Sequence, residues 1–302
     1  ILKVGHINDV VKEAIRCGMN PIDAIKSATL NTAREIKMDN LGALAPGYVA
    51  DIVLLPDLEE MRPTAVFYEG IHVVEDHRLL VDIAEKSYEL ENRNSINFKE
   101  LTVEDFKIKA PIKNGKVKVN VMTFADHTLS TTDAKIEEFE VVDGYLVLSD
   151  PDLKFVAVIN RYGRNHLALH VVRGFGTTHG ALASTVSHDS HNLTIVFDQA
   201  ENALVAALKI KEIAGGMVAV EDGKIIHALA LPIGGLLSLK PAEELAKDAN
   251  MMKQANYQLG LTMLENPLLR IVTLALPVIP NVKMSDLGLV DVNTKTLIDL
   301  FV

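Results

Sequence analysis

The chain has 302 residues, and at about 150 residues per domain that length predicts two domains. Thirty Lys and Arg against forty Asp and Glu leave a formal net charge of −10, which works against a phosphate-binding surface and excludes nucleic acid from the expected partners. A composition 48% hydrophobic and 23% charged, with 18 Gly and 11 Pro, is that of a folded globular chain, not a low-complexity one. The single cysteine, Cys17, cannot close an internal disulfide, so a reducing, cytoplasmic setting is expected. The longest uncharged apolar stretch, Ile225 to Leu239, is broken by Pro232, Gly234 and Gly235 and is shorter than the ~20 residues of a spanning helix, so no membrane segment is expected. Position 1 is Ile, followed by neither a basic nor an apolar leader pattern, and the chain reads as part of a longer one.

The first forty residues predict three short helices. Asn8 is placed to cap a helix carrying Val10, Val11, Ala14 and Ile15 on one stripe, with Gly18 at its left-handed end. Asn20 and Pro21 restart a helix through Ile22, Ile25 and Ala28, and Asn31 starts a third over Thr32 to Ile36. From Leu41 the pattern changes to strands: Ala50 to Leu55, then a hairpin of Ala65 to Tyr68 and Ile71 to Val74 around Glu69-Gly70. Glu85 to Thr102 is charged and aperiodic and reads as a connection. Further on, strands are predicted at Val117 to Phe124, Ile136 to Val142, Tyr145 to Leu148, Phe155 to Ile159, Ala181 to Ser187 and Leu193 to Phe197. A helix over Gln199 to Ile213 places Ala203, Ala206, Ala207 and Ile210 on one face. A hairpin of Met217 to Val220 and Ile225 to Leu231 follows, then a helix from Pro241 to Leu259.

Chemistry concentrates between Gly174 and Asn192. Ser187-His188-Asp189-Ser190-His191-Asn192 sets two imidazoles and a carboxylate within four residues, between apolar strands. Such a group ligates a metal, moves a proton or hydrogen-bonds a polar heterocycle; equally, it forms a tight turn whose Asp, Ser and Asn bond to local backbone. Gly174, Gly176 and Gly180 upstream permit close backbone approach, to a ligand or within an ordinary turn. Arg161-Tyr162-Gly163-Arg164-Asn165-His166, with His170, is a second polar cluster; Arg161 or Arg164 orients a ring nitrogen or carboxylate, or is a solvated surface group. His179 is either ligand-facing or a satisfied loop residue, while His6, His72, His77, His127 and His227 are isolated and read as structural or surface. Leu231 to Ser238, with Gly234-Gly235, is a pocket wall or a packed turn. The chain carries no GxxxxGK[ST], GxGxxG, GxSxG, HxH or HExxH motif.

Ala28-Thr29-Leu30-Asn31-Thr32-Ala33, Ala45-Pro46-Gly47 and Ala50 to Leu55 resemble the closing segment of amidohydrolase-superfamily enzymes. Gly180 to Asn192, Leu231 to Ser238 and Leu276-Pro277-Val278-Ile279-Pro280 are similar to the C-terminal domain of microbial adenine deaminases. That resemblance implies an α/β and α+β architecture: residues 1–38 as the tail of a (β/α)8 barrel, 39–90 as a small β-sandwich segment, 91–130 as a connection with a first strand, and 131–302 as a C-terminal α+β domain. It implies a metal-dependent aminohydrolase turning adenine and water into hypoxanthine and ammonia, with manganese or iron lowering the pKa of a bound water. The family's HxH pair falls before Ile1, so no metal ligand is assigned here and the chain by itself is expected to be inactive. His188, Asp189 and His191 are the expected catalytic-loop residues, with Ser187, Ser190, Asn192, Arg161 and His179 expected against the substrate. A homo-oligomer is expected. The alternatives are a noncatalytic regulatory or oligomerisation module, and a hydrolase of another cyclic amidine or amide.

Overall fold

The structure, a computed structural model, describes residues 5–83, 94–125 and 130–302. Of the connection expected over Glu85 to Thr102, residues 85–93 lie outside that set, as does His127. The fold is mixed α/β with several sheets, and the chain divides into two units, Ile1–Glu89 and Leu90–Val302.

In the first unit α1 spans Ile7–Arg16. It starts two residues earlier than Asn8 predicts: His6 is the N-cap, its backbone N–H donating to the Asp9 carboxylate at 3.4 Å, while Asn8 donates Nδ2–H to the Met61 carbonyl at 3.3 Å. Gly18, at φ +100°, ends it in the left-handed region. Helix α2, Pro21–Lys26, has the predicted cap, with Asn20 Oδ1 accepting from Ile22 N at 2.9 Å and Asp23 N at 3.4 Å. A third helix begins after Asn31 as expected, but Asn31 is itself helical at φ −69° and its side chain makes no cap bond. Ser27–Asn31 form a wider π turn continuous with α3, Thr32–Glu35, and the hydroxyls of Thr29 and Thr32 bond the carbonyls of Ile25 and Ser27 at 2.7 Å, competing with the ladder. Strands β1 (Ile52–Leu54), β2 (Ala65–Tyr68), β3 (Ile71–Glu75) and β4 (Arg78–Leu79) form one antiparallel sheet in sequence order.

The second unit is built on β5 (Gly115–Phe124), β6 (Thr132–Val142), β7 (Tyr145–Val147), β8 (Leu153–Ile159), β9 (Leu167–Arg173), β10 (Ala181–Ser184) and β11 (Leu193–Phe197). Helix α4 (Ala200–Glu212), β12 (Gly216–Glu221), β13 (Lys224–Ala230), α5 (Ala242–Gln258), α6 (Leu268–Val272) and the hairpin strands β14 (Val282–Ser285), β15 (Gly288–Asp291) and β16 (Thr296–Ile298) complete it. Nine strands form one sheet in the order β13-β12-β10-β11-β8-β9-β5-β6-β7, antiparallel except where β5 runs parallel to β9.

Alternation along the strands explains the two cores. Ala181 and Ala183 of β10, with Leu193, Ile195 and Phe197 of β11, face α4 and its buried Ala203, Ala206, Ala207 and Ile210. Leu182 and Val196 face the other way, onto Met252, Ala255 and Leu259 of and beyond α5. With both faces covered, β10 and β11 read as continuous apolar runs.

Two expectations need correction. The strand read over Ala181 to Ser187 ends at Ser184, because Thr185 turns its N–H to Gly216 O at 2.9 Å and its hydroxyl to Gly235 O at 2.6 Å. Strand β9 is additional to those predicted, with His170 buried at its centre opposite Val156. At Gly180 the backbone approaches its own chain: an added Cβ would lie 2.4 Å from the Val220 carbonyl oxygen.

Candidate functional site

At one end of the large sheet, β10 hands the chain to β11 through residues 185–192. The root of this loop is closed by buried hydroxyls, Ser187 Oγ and Thr194 Oγ1 at 2.8 Å, and by the His191 N–H donating to Ser187 O at 2.7 Å. The His188 N–H donates to the carbonyl of Val272 in α6 at 3.2 Å. Above that anchored base His188, Asp189 and Ser190 are exposed and His191 is half-buried, the two imidazoles meeting edge to face at 5.1 Å. Asn192 is buried and its Oδ1 has no hydrogen-bond partner among the described residues.

Burial, and then the nearby His188 and Arg161, hold the His191 imidazole below its ordinary pKa, so the ring is neutral near pH 7. Its Nδ1 accepts the Ser187 N–H at 3.4 Å, which leaves the ring proton on Nε2. Among the described residues neither the Asp189 carboxylate nor the His188 ring is hydrogen-bonded to the turn's backbone, whereas Ser190 Oγ accepts the Asn192 N–H at 3.5 Å, so the turn uses Ser190 and leaves Asp189 and His188 open. The loop offers a neutral N–H donor, an exposed imidazole and a carboxylate, a set suited to hydrogen-bonding and proton movement at a polar ring.

Arg161 is buried, not a solvated surface group. Its Nε donates to His191 O, Nη1 to Ser95 Oγ, and Nη2 to Gly234 O at 2.8 Å. The guanidinium therefore fixes the back of the loop and the turn at Ile233 to Leu237 instead of facing outward, and that turn packs on Arg161 and Thr185 within its own unit. His179 sits at the opposite end of β10, four strand residues or about 13 Å away along the sheet. Both its ring nitrogens are engaged, Nδ1 with Thr178 Oγ1 at 2.8 Å and Nε2 with the Glu221 carboxylate. The structure thus gathers Ser187, His188, Asp189, Ser190, His191 and Asn192, places Arg161 behind them, and leaves His179 apart.

The polar cluster after β8 joins the same end. Tyr162 Oη donates to Ser190 O at 2.8 Å, and His166 approaches Asp286, a residue of the β14–β15 turn that sequence reasoning missed. In sequence Asp286 is one acid in Ser285-Asp286-Leu287-Gly288, indistinguishable from an ordinary turn residue.

Residues 130–296, more than half the chain, match the family model described as the adenine deaminase C-terminal domain. The chain belongs to the adenine deaminase family. Residues 3–118 also match the amidohydrolase family. Among curated relatives, adenine deaminase of Moorella thermoacetica is 40% identical across 99% of this chain and 51% of its own length. That of Thermosipho africanus is 36% identical across 100% and 51%, and that of Desulforamulus reducens 38% across 97% and 50%. The chain spans about half the length of the relatives it matches. Amidohydrolase-family enzymes generally use divalent metals, but the residues here do not supply a site: among the described residues no three His, Cys, Asp or Glu side chains are grouped to hold a metal ion. No helix among them is long and apolar enough to cross a membrane.

Proposed function

We propose that this chain is part of an aminohydrolase that replaces the C6 amino group of adenine with oxygen from water, releasing hypoxanthine and ammonia, and that its 187–192 loop forms a wall of the substrate site. Supporting this reading is one observation above others: adenine deaminases match along essentially the whole chain, including a loop that keeps the His188 ring and the Asp189 carboxylate free of its own backbone and leaves His191 Nε2 open. His191 donates Nε2–H to a bare ring nitrogen, Asp189 accepts from an N–H, His188 covers the ring edge, and Ser190 and Asn192 line the loop. In this reading residues 1–38 close a (β/α)8 barrel, 39–90 belong to a small β-sandwich, 91–130 connect, and 131–302 form the C-terminal domain. A manganese or iron ion is assigned to the part of the relatives' length that this chain does not span. The enzyme is taken as cytoplasmic and homo-oligomeric.

The test is the double variant His188→Ala, His191→Ala in the full-length protein. Ammonia release from adenine should fall about tenfold or more, with the thermal midpoint unchanged. Loss of cooperative unfolding, with activity lost only in proportion, would assign these histidines to packing instead.

A further inference from the structure

His166 brings another imidazole to the same end of the sheet. Ile159, the last residue of β8, pairs with Leu193 at the start of β11 and with Leu167 at the start of β9. The 187–192 loop and His166 therefore arise two strand spacings, about 10 Å, apart. The His166 side chain is partly exposed and its Nδ1 stands 3.2 Å from Asp286 Oδ2. The same oxygen accepts Nδ2–H of buried Asn160 at 2.8 Å. Asn160 is fixed in turn, its Oδ1 accepting from the backbone N–H groups of Tyr162 at 3.0 Å and Arg164 at 3.3 Å. The carboxylate is thus aimed by a side chain that has no freedom of its own.

That geometry selects a tautomer. A carboxylate only accepts hydrogen bonds, so the neutral His166 ring carries its proton on Nδ1 and presents Nε2 as a bare acceptor. His191 carries the opposite tautomer and presents an N–H. His179 presents neither, because both of its nitrogens are engaged. Apart from the His188 ring, whose tautomer no hydrogen bond among the described residues fixes, one acceptor and one donor therefore stand on imidazoles at this sheet end. Neutral adenine carries the complementary couple on its five-membered ring, one N–H and one bare nitrogen. Its six-membered ring holds the reacting carbon, which must face the groups that deliver water, and the five-membered edge is what remains for the residues of this unit.

We propose that His166, oriented by Asp286, accepts the N–H of the substrate's five-membered ring and so selects the free base over purines substituted at that nitrogen. This rests on adenine being the substrate. Steady-state kinetics of the full-length protein on adenine and on 9-methyladenine, which lacks the N–H, separate the two claims. His166→Ala should raise KM for adenine about tenfold with kcat changed less than threefold, and leave KM for 9-methyladenine within twofold of wild type. His166→Gln, which keeps an acceptor oxygen near the Nε2 position, should restore most of the preference. Should His166→Ala not fold, Asp286→Asn, which leaves the ring in place and frees its proton to either nitrogen, carries the same expectation at smaller size. Equal losses on both substrates, or none, overturn the assignment of His166 while the deaminase reading stands. Wild-type protein that releases no ammonia from adenine overturns both.

Discussion

His170 lies at the centre of β9 with 1% of its surface exposed and no hydrogen-bond partner for Nε2 among the described residues. Burial, only partly offset by the carbonyl of Val171, pushes its pKa down to about 4. The unfolded chain titrates this group near ~6.5, so between the two values the unfolded state binds a proton that the folded state refuses. Stability is therefore unaffected by His170 above pH ~6.5, falls as pH drops through that window, and reaches its full deficit of about 3 kcal/mol below the folded pKa. Urea unfolding of the full-length protein at pH 7.5 and 4.5 measures it: a His170→Leu variant should lose less stability on acidification than wild type, and equal losses would show that the imidazole is hydrated. Burial of this kind was not legible in the sequence. His170 and Arg161 look like surface polar residues there, because the carbonyls of Ser95, His191 and Gly234 that make Arg161 tolerable inside lie 66, 30 and 73 residues away. The 187–192 loop was legible, since its polar density between two apolar strands is a local property, whereas Asp286 joins the site only through a hairpin 120 residues beyond His166.

The same division between local and distant causes governs the elements. Glu69-Gly70, Asp143-Gly144 and Asp222-Gly223 each hold both central residues at positive φ, between +49° and +87°, and each closes the hairpin its dipeptide predicts. Strand β9 escaped because its apolar alternation is interrupted by His170 and preceded by a polar run that resembles a long loop. Strand order was out of reach: β10 lies between β12 and β11, and β5 pairs parallel with β9, both consequences of packing across the unit. Two glycines separate conformational from steric requirements. Gly144, at φ +87°, has nothing within 4 Å of an added Cβ, so Gly144→Ala should cost only the left-handed penalty, about 1 kcal/mol. Gly180, at φ +75°, adds a clash with the Val220 carbonyl oxygen at 2.4 Å, so Gly180→Ala should cost about 3 kcal/mol or more as β10 is pushed from β12. Denaturant midpoints at constant m-value decide it, and equal costs would refute the steric part of the argument.

At the scale of the molecule, the two units differ in what they bury. Three apolar clusters, on both faces of the nine-stranded sheet and around β5 to β7, are drawn entirely from residues 96–301. Among the described residues the first unit's cluster fully buries Val11, Ala24 and Met61, with Ala14, Ile15, Ile25, Ala28 and Leu55 partly buried against them, while Val10 is 63% and Leu44 76% exposed. A core of three buried and five partly buried side chains, at roughly 1.5–3 kcal/mol for each large one fully buried, cannot offset the ~1–2 kcal/mol of backbone entropy lost by each ordered residue of 5–83. The second unit meets that requirement with its own cores and with its own hydrogen-bonded loop, since the anchors of the 187–192 segment, Ser95, Arg161, Thr194 and Val272, all lie within it. Residues 90–302 expressed alone should therefore unfold in one cooperative urea transition and retain dispersed, ordered resonances for His166 and His191. Residues 1–89 alone should show no cooperative transition, because their apolar surface lacks a partner within the fragment. A sharp transition in the short fragment, or its absence in the long one, would mean that the two cores are not energetically separate and that the loop's anchoring depends on more than the unit that contains it.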